Sequence, residues 1–285
     1  MPATLGQLMT YVRLALRSAD IASADMDARL LVQALSGCDL TDLVIRQDLP
    51  VSAEIYERLN HAIMRRVAGE PVHRIIGERE FYGLIFTLNA DTLEPRPDTE
   101  ALIGLVLPFL RDKVSENTFA DLLDMGTGSG AIVVTLLHEV PQSRGVAVDI
   151  AHGALEAVRI NASRAGVSSR LATLQSDWFR AVRGKYDLIV SNPPYIPAKV
   201  VLELDKGVKD YDPRIALDGG EDGLNFYRSL AQYSGGHLRE NGMVAVEIGA
   251  GQADDVEAIF AEHALRLTGT ADDLGGHKRA LSFQR

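Results

Sequence analysis

Apolar residues recur at helical spacing through residues 1–69. Leu5, Leu8, Met9, Val12 and Leu16 form one stripe, and Thr4 with Gln7 fits a capping box ahead of it. Ser23 opens a second helix, with Leu30, Leu31, Ala34 and Leu35 facing inward and Gly37 as its stop. A short helix is expected over residues 41–47, before Pro50. Ser52 opens another, carrying Ile55, Leu59, Ala62, Ile63 and Val67 on one face and ending at Gly69. The result is a small helical bundle without a catalytic constellation. Two readings stay open for it: a structural cap, or a recognition module for a macromolecular substrate.

The pattern changes after Pro71. Residues 74–88 read as two strands around a turn at Tyr82-Gly83, a hairpin joining two domains. Residues 91–100 form a proline-stiffened loop, after which Asp98 or Thr99 can cap a helix bearing Ala101, Leu102, Leu105 and Val106. Pro108 is expected to kink or end that helix. From residue 119 onwards strands and helices alternate. Strands are expected over 119–124, 145–149, 171–175, 186–190, 243–248, 264–269 and 279–284, and helices over 129–139, 152–164, 223–238 and 252–262. This alternation predicts an α/β fold with a mostly parallel, doubly wound sheet. Ligands of such sheets bind at the carboxyl ends of the strands, near the point where strand order reverses.

A length of 285 residues fits this two-part reading. The expected division is a helical domain over 1–72, a hairpin linker over 73–92 and a catalytic-type domain over 93–285. Apolar residues make up 46% and charged residues 24%, enough for a sizeable core and unlike a disordered chain. The 29 basic and 39 acidic side chains leave a formal charge of −10, so bulk charge offers no nucleic-acid platform. One cysteine, Cys38, excludes an intrachain disulfide and a cysteine-based zinc site, and no metal is expected. No apolar run approaches a membrane span, and Gln7, Arg13 and Arg17 interrupt any secretory core at the N-terminus. The expected compartment is the cytoplasm.

The chemistry gathers at strand ends. The strand over 119–124 runs into Asp124-Met125-Gly126-Thr127-Gly128-Ser129-Gly130, whose glycines allow a tight turn and close approach of a ligand. The spacing is not GxGxxG and no P-loop lysine is present. Asp124 either holds this loop or lies near a ligand's amino group. Asp149 ends the next strand, placed either to cap the helix over 152–164 or to hold both ribose hydroxyls of a nucleoside; beside the glycine loop, the ribose role is favoured. Trp178, the only tryptophan, could pack on an adenine while Asp177 accepts from its exocyclic amine. The most specific feature is Ser191-Asn192-Pro193-Pro194-Tyr195, where two prolines fix an extended bend where a ligand would sit.

The pairing of DMGTGSG with SNPPY resembles S-adenosylmethionine-dependent methyltransferases that modify planar nitrogens. More narrowly, the chain resembles the PrmC/HemK family, the release-factor glutamine N5-methyltransferases. The likeness spans nearly the whole chain and includes Gly69-Glu70-Pro71, Arg79-Glu80-Phe81-Tyr82-Gly83, Pro95-Arg96-Pro97-Asp98-Thr99-Glu100 and Asp218-Gly219-Gly220-Glu221-Asp222-Gly223-Leu224. Glu94 departs from it, since an aliphatic residue usually precedes PRPDTE, and so does Asp212, where Glu is usual. The resemblance implies a seven-stranded Rossmann-like sheet with an antiparallel last strand behind the helical domain. It implies S-adenosylmethionine contacts from Gly126, Thr127, Gly128, Ser129, Gly130, Asp149, Asp177, Trp178 and Asn192. It implies a substrate clamp of Asn192, Pro193, Pro194 and Tyr195, and as substrate the glutamine of the GGQ tripeptide in class-1 release factors.

The residues themselves suit a carboxamide target. The Asn192 side-chain oxygen and the Pro193 carbonyl can each accept one amide N–H, and Tyr195 can lie against the flat amide and exclude water. Arg96 and Glu100 are either a loop anchor and a helix-start charge or substrate-positioning groups. The rival readings are a nucleic-acid adenine methyltransferase, which shares NPPY logic, another protein-glutamine methyltransferase, and a non-catalytic adaptor. The acidic balance weighs against the first and the intact NPPY against the last. A monomer is expected.

Overall fold

The computed structural model describes residues 3–285. It divides into two compact units, one running through Glu78 and the other spanning Arg79–Arg285.

The first unit is helical: α1 (Leu5–Ser18), α2 (Ala24–Ser36), α3 (Leu40–Ile45), α4 (Ala53–Val67) and α5 (Val72–Ile76). Leu5, Leu8, Val12 and Leu16 of α1 are buried at the expected spacing. Only half of the expected capping box forms, because the Thr4 hydroxyl accepts from Gln7 N–H while the Gln7 side chain accepts from Ala3 N–H. The inward face of α2 is turned from the one expected: Ala24, Asp27, Ala28, Leu31 and Val32 are buried, and Ala34 is exposed. A buried carboxylate sets that rotation, since Asp27 accepts from Arg66 Nε at 2.6 Å and from the Ser23 hydroxyl at 2.9 Å. Residues 74–76, read above as strand, close α5, where left-handed Gly77 ends the turn. Val67 is exposed rather than inward.

A hairpin, β1 (Glu78–Phe81) and β2 (Leu84–Thr87), begins at the last residue of the first unit and leads into the second. Tyr82 and Gly83 both have positive φ, as a two-residue hairpin turn requires. Phe81 and Phe86 lie in the main core of the second unit, so the hairpin packs as part of it. Then follow α6 (Glu100–Asn117), β3 (Ala120–Met125), α7 (Ala131–Glu139), β4 (Ser143–Asp149), α8 (His152–Arg164), β5 (Leu171–Gln175) and β6 (Tyr186–Ser191). After short α9 (Ala198–Val201) and α10 (Lys206–Lys209) come α11 (Asn225–His237), β7 (Leu238–Glu247), α12 (Ala253–Ala261), β8 (Arg266–Asp272) and β9 (Lys278–Gln284).

Helix α6 runs through Pro108 to Asn117. An interior proline costs about 3 kcal/mol. Ending the helix there would unpack buried Leu110 and partly buried Phe109 and Val114 from the core. Large apolar side chains contribute about 1.5–3 kcal/mol each when fully buried, so packing outweighs the local cost.

The seven strands lie in the order β5-β4-β3-β6-β7-β9-β8. All neighbours are parallel except β9, which is antiparallel to both β7 and β8. Side chains alternate between two cores. Leu122, Leu188, Val190 and Ala245 face α6, α7 and α8, whereas Leu123, Ile189, Val244 and Val246 face α11 and α12. The order reverses at β3, with β4 on one side and β6 on the other. The crevice therefore opens at the carboxyl ends of β3, β4 and β6. Among the described residues, no helix is long and apolar enough to cross a membrane.

Candidate active site

A cavity of about 340 Å³ opens at that edge. Gly126, Thr127, Gly128 and Ser129 after β3 line it, as do Asp149 and Ile150 at the end of β4, Asp177 and Trp178 after β5, and Asn192 and Pro194 after β6. The Asp91–Thr99 loop supplies Asp91, Leu93, Glu94, Pro95, Arg96 and Thr99, and Ile215, Ala216 and Phe226 close the remaining side.

The glycine loop is shaped by its backbone. Gly128 N–H donates to Asp149 Oδ2 at 2.9 Å, and Ala151 N–H donates to Asp149 Oδ1 at 2.9 Å. Asp149 thus ties the glycine loop to the turn before α8 and lines the cavity, but it does not cap that helix, whose N-cap is Ala151 with no side-chain cap bond. Burial raises its pKa, against those N–H donors. Gly130 does not line the cavity. It sits left-handed at φ 81° before α7, and a Cβ there would lie 3.2 Å from Val158 Cγ2 and 3.3 Å from Val134 Cγ2. Gly130→Ala is therefore expected to lower folding stability by about 1–3 kcal/mol, read as a reduced urea midpoint.

Asp124 is fully buried beneath the loop, with Oδ2 accepting from the Thr127 hydroxyl at 2.7 Å. Burial pushes its pKa up to about 7, opposed by Thr127 and the Val133 N–H. A raised carboxyl pKa means the folded chain keeps a proton that the unfolded chain releases. Its contribution to stability is complete below about 3.8 and lost as pH rises through about 7. Asp124→Asn should flatten that fall, measured by urea unfolding at acidic and neutral pH.

Trp178 has a φ of 46°, unusual for a bulky side chain. Its ring stacks on Phe226, with centroids 4.7 Å apart and planes inclined by 26°. The NPPY segment divides. Asn192 and Pro194 line the cavity, and Pro193 and Tyr195 do not. Tyr195 instead packs into the core under α11 and α12, and its hydroxyl donates to Glu247 Oε1 at 3.4 Å, so it is aimed away from the position expected of a water-excluding plane. Burial and the Glu247 charge drive its pKa upward. Asn192 Nδ2 donates to the Thr99 hydroxyl at 3.3 Å, which leaves its Oδ1 as the available acceptor.

Arg96 Nη2 donates to buried Asp212 Oδ2 at 2.7 Å, so it anchors the segment carrying Ile215 while lining the cavity. Glu100 lies outside the cavity, and its Oε1 accepts from Tyr82 N–H at 3.3 Å in the hairpin turn. Both departures noted in the sequence have partners: Glu94 is buried against Arg79, and Asp212 against Arg96.

Comparison with known proteins follows the same outline. Residues 7–77 match the PrmC N-terminal domain, and residues 106–204 match the methyltransferase small domain. A release factor glutamine methyltransferase of Agrobacterium fabrum is 47% identical over 99% of this chain and 98% of its own length. The chain belongs to the release factor glutamine methyltransferase family. A second member, from Bradyrhizobium diazoefficiens, is 41% identical over 95% of this chain and 91% of its own. Among solved structures, the hMettl16 catalytic domain aligns with a TM-score of 0.55 at 13% identity, over 81% of each chain, which shows the methyltransferase fold.

The residues present suit the S-adenosylmethionine on which this family and fold rely. Each Asp149 oxygen accepts one backbone N–H and keeps a lone pair, so the carboxylate can accept from both hydroxyls of a ribose diol. Trp178 and Ile150 offer apolar faces, and Asp177 an acceptor beside them. Sequence reasoning missed Phe226, Ile215, Leu93 and Asp91 on this cavity's wall. Only Asp91 carried a signal, as an acid in the proline-stiffened loop.

Proposed function

We propose that this protein transfers a methyl group from S-adenosylmethionine to the side-chain amide nitrogen of the glutamine in the GGQ motif of class-1 peptide chain release factors. Full-length identity to release factor glutamine methyltransferases supports the substrate. The observation that carries the chemistry is Asn192 at the cavity wall, its amide donating to Thr99 and its Oδ1 free to accept.

A carboxamide nitrogen is a poor nucleophile, because its lone pair is delocalised into the carbonyl. Bound S-adenosylmethionine supplies a methyl on a sulfonium centre that leaves as a neutral thioether. The chain's own task is to hold the nitrogen and to stabilise charge growing on it. Asn192 Oδ1 accepts one N–H from the cavity wall and the Pro193 carbonyl, though Pro193 is not itself on that wall, accepts the other, so the nitrogen is held in line for the methyl. Both acceptors are preorganised dipoles facing a developing positive charge, which is discharged when one N–H proton leaves to water after the methyl has moved. Pro193 and Pro194 fix φ on either side of that carbonyl. Pro194 lines the cavity beside Asn192 and helps to exclude water. The Gly126–Ser129 loop would hold the cofactor, with Asp149 on its ribose and Asp177, Trp178 and Phe226 around its adenine. Gly130 supports that loop from behind, Tyr195 braces the turn, and Arg96 and Glu100 anchor neighbouring segments. The enzyme works as a monomer in the cytoplasm, where its release factors are, with residues 3–78 as their recognition module.

The test is methyl transfer from labelled S-adenosylmethionine to a purified unmodified release factor and to a variant with the GGQ glutamine changed to alanine. Label on the first alone supports the proposal, whereas equal label on both overturns the assigned target.

A further inference from the structure

Thr99 stands where a helix-capping residue is expected, at the start of α6, yet its side chain caps nothing there. Its hydroxyl instead accepts from Asn192 Nδ2 at 3.3 Å, and Thr99 favours the ionised form of Glu247, whose buried Oε2 has no hydrogen-bond partner. The fold brings these residues together. Ser191 pairs with Val246 between parallel β6 and β7, so Asn192, the first residue past β6, stands level with Glu247, the last residue of β7, which still pairs with Ala280 of β9. Thr99 and Glu247 are 4% and 1% exposed, so neither is a solvated surface group.

The geometry points to Thr99, backed by Glu247, as a positioning residue that fixes which end of the Asn192 amide faces the cavity. This rests on the reading of Asn192 as an amide acceptor. A hydroxyl has one proton. With Glu247 ionised, that proton is drawn to the carboxylate, and the Thr99 oxygen can only accept. Asn192 must then turn its NH2 towards Thr99 and its oxygen towards the substrate. A protonated Glu247 can itself donate to Thr99, which frees the hydroxyl to donate to Asn192 and permits the amide to flip.

Charged and titratable groups face Glu247 from every side. Tyr195 donates to Oε1, Tyr227 of α11 donates to the Glu247 carbonyl, Arg279 of β9 adds positive charge, and Asp98 adds negative charge. Burial outweighs the favourable partners and lifts the carboxyl to about 7. The competent orientation should therefore be lost as pH falls through about 7.

The test compares Thr99→Val, Thr99→Ser and Glu247→Gln with wild type for kcat, KM and S-adenosylmethionine binding. Thr99→Val should lower kcat by about 10–100-fold, with cofactor Kd changed less than about threefold, and Thr99→Ser should restore most of the loss. Glu247→Gln, which can donate to Thr99 at any pH, should lower kcat and remove the acid limb of its pH profile. A melting temperature that still rises with S-adenosylmethionine will show each variant folded. Thr99→Val at wild-type kcat, or a loss that serine does not rescue, overturns the positioning role while Asn192→Ala remains inactive. Asn192→Ala at wild-type kcat overturns the Asn192 reading itself, and the positioning role with it.

Discussion

Asn192→Ala is expected to reduce kcat for release-factor methylation by about 10²–10³-fold, the usual consequence of removing one preorganised dipole from a developing charge. Cofactor Kd should change by less than about threefold. The separation follows from the site. Asn192 lines the cavity through one side chain, whereas the cofactor's other proposed contacts come from the loops after β3, β4 and β5. Asn192→Asp is a sharper probe, because it keeps an acceptor oxygen and removes the NH2 that donates to Thr99. The new carboxylate would face the Thr99 oxygen and stand near buried Glu247, so it should recover little activity. Steady-state kinetics with calorimetric cofactor binding reads both parts. Turnover of Asn192→Ala within a few-fold of wild type would contradict the assignment.

Asp149→Ala should act on binding instead. Two hydrogen bonds from hydroxyls to a carboxylate are together worth about 3 kcal/mol or more, or roughly a hundredfold in Kd. Asp149 also holds Gly128 N–H and Ala151 N–H, so the empty variant should be less stable as well. These effects separate in a melting experiment. The Tm without ligand should fall, and the further rise on adding S-adenosylmethionine should shrink or vanish. A lower Tm with an undiminished ligand-induced rise would leave Asp149 as a loop anchor only.

The sheet was legible because strand and helix periods alternate cleanly from residue 119 and because burial on both faces demands continuous apolar strands such as Tyr186–Ser191, every residue of which is buried. The glycine loop and Asn192 were legible because ligands of such sheets sit at strand ends. Other features depend on contacts that no local pattern announces. Pro108 lies inside α6 because the core holds Leu110 beyond it. The face of α2 follows Asp27, whose partner Arg66 lies 39 residues away. Phe226 joins the cavity from α11, and Glu247 reaches Asn192 only through strand pairing. Tyr195 shows the limit most clearly: adjacency to Pro194 suggested a place against the substrate, and the buried Glu247 carboxyl draws its hydroxyl the other way.

The identity of the methylated atom separates this enzyme from its rivals. The most direct measurement is fragment mass spectrometry of the GGQ-containing peptide from an unmodified class-1 release factor incubated with this protein and S-adenosylmethionine, with plasmid DNA as a parallel acceptor. The account predicts a single added methyl on the side-chain nitrogen of that glutamine and none on DNA. An unmodified glutamine alongside methylated adenine would contradict it.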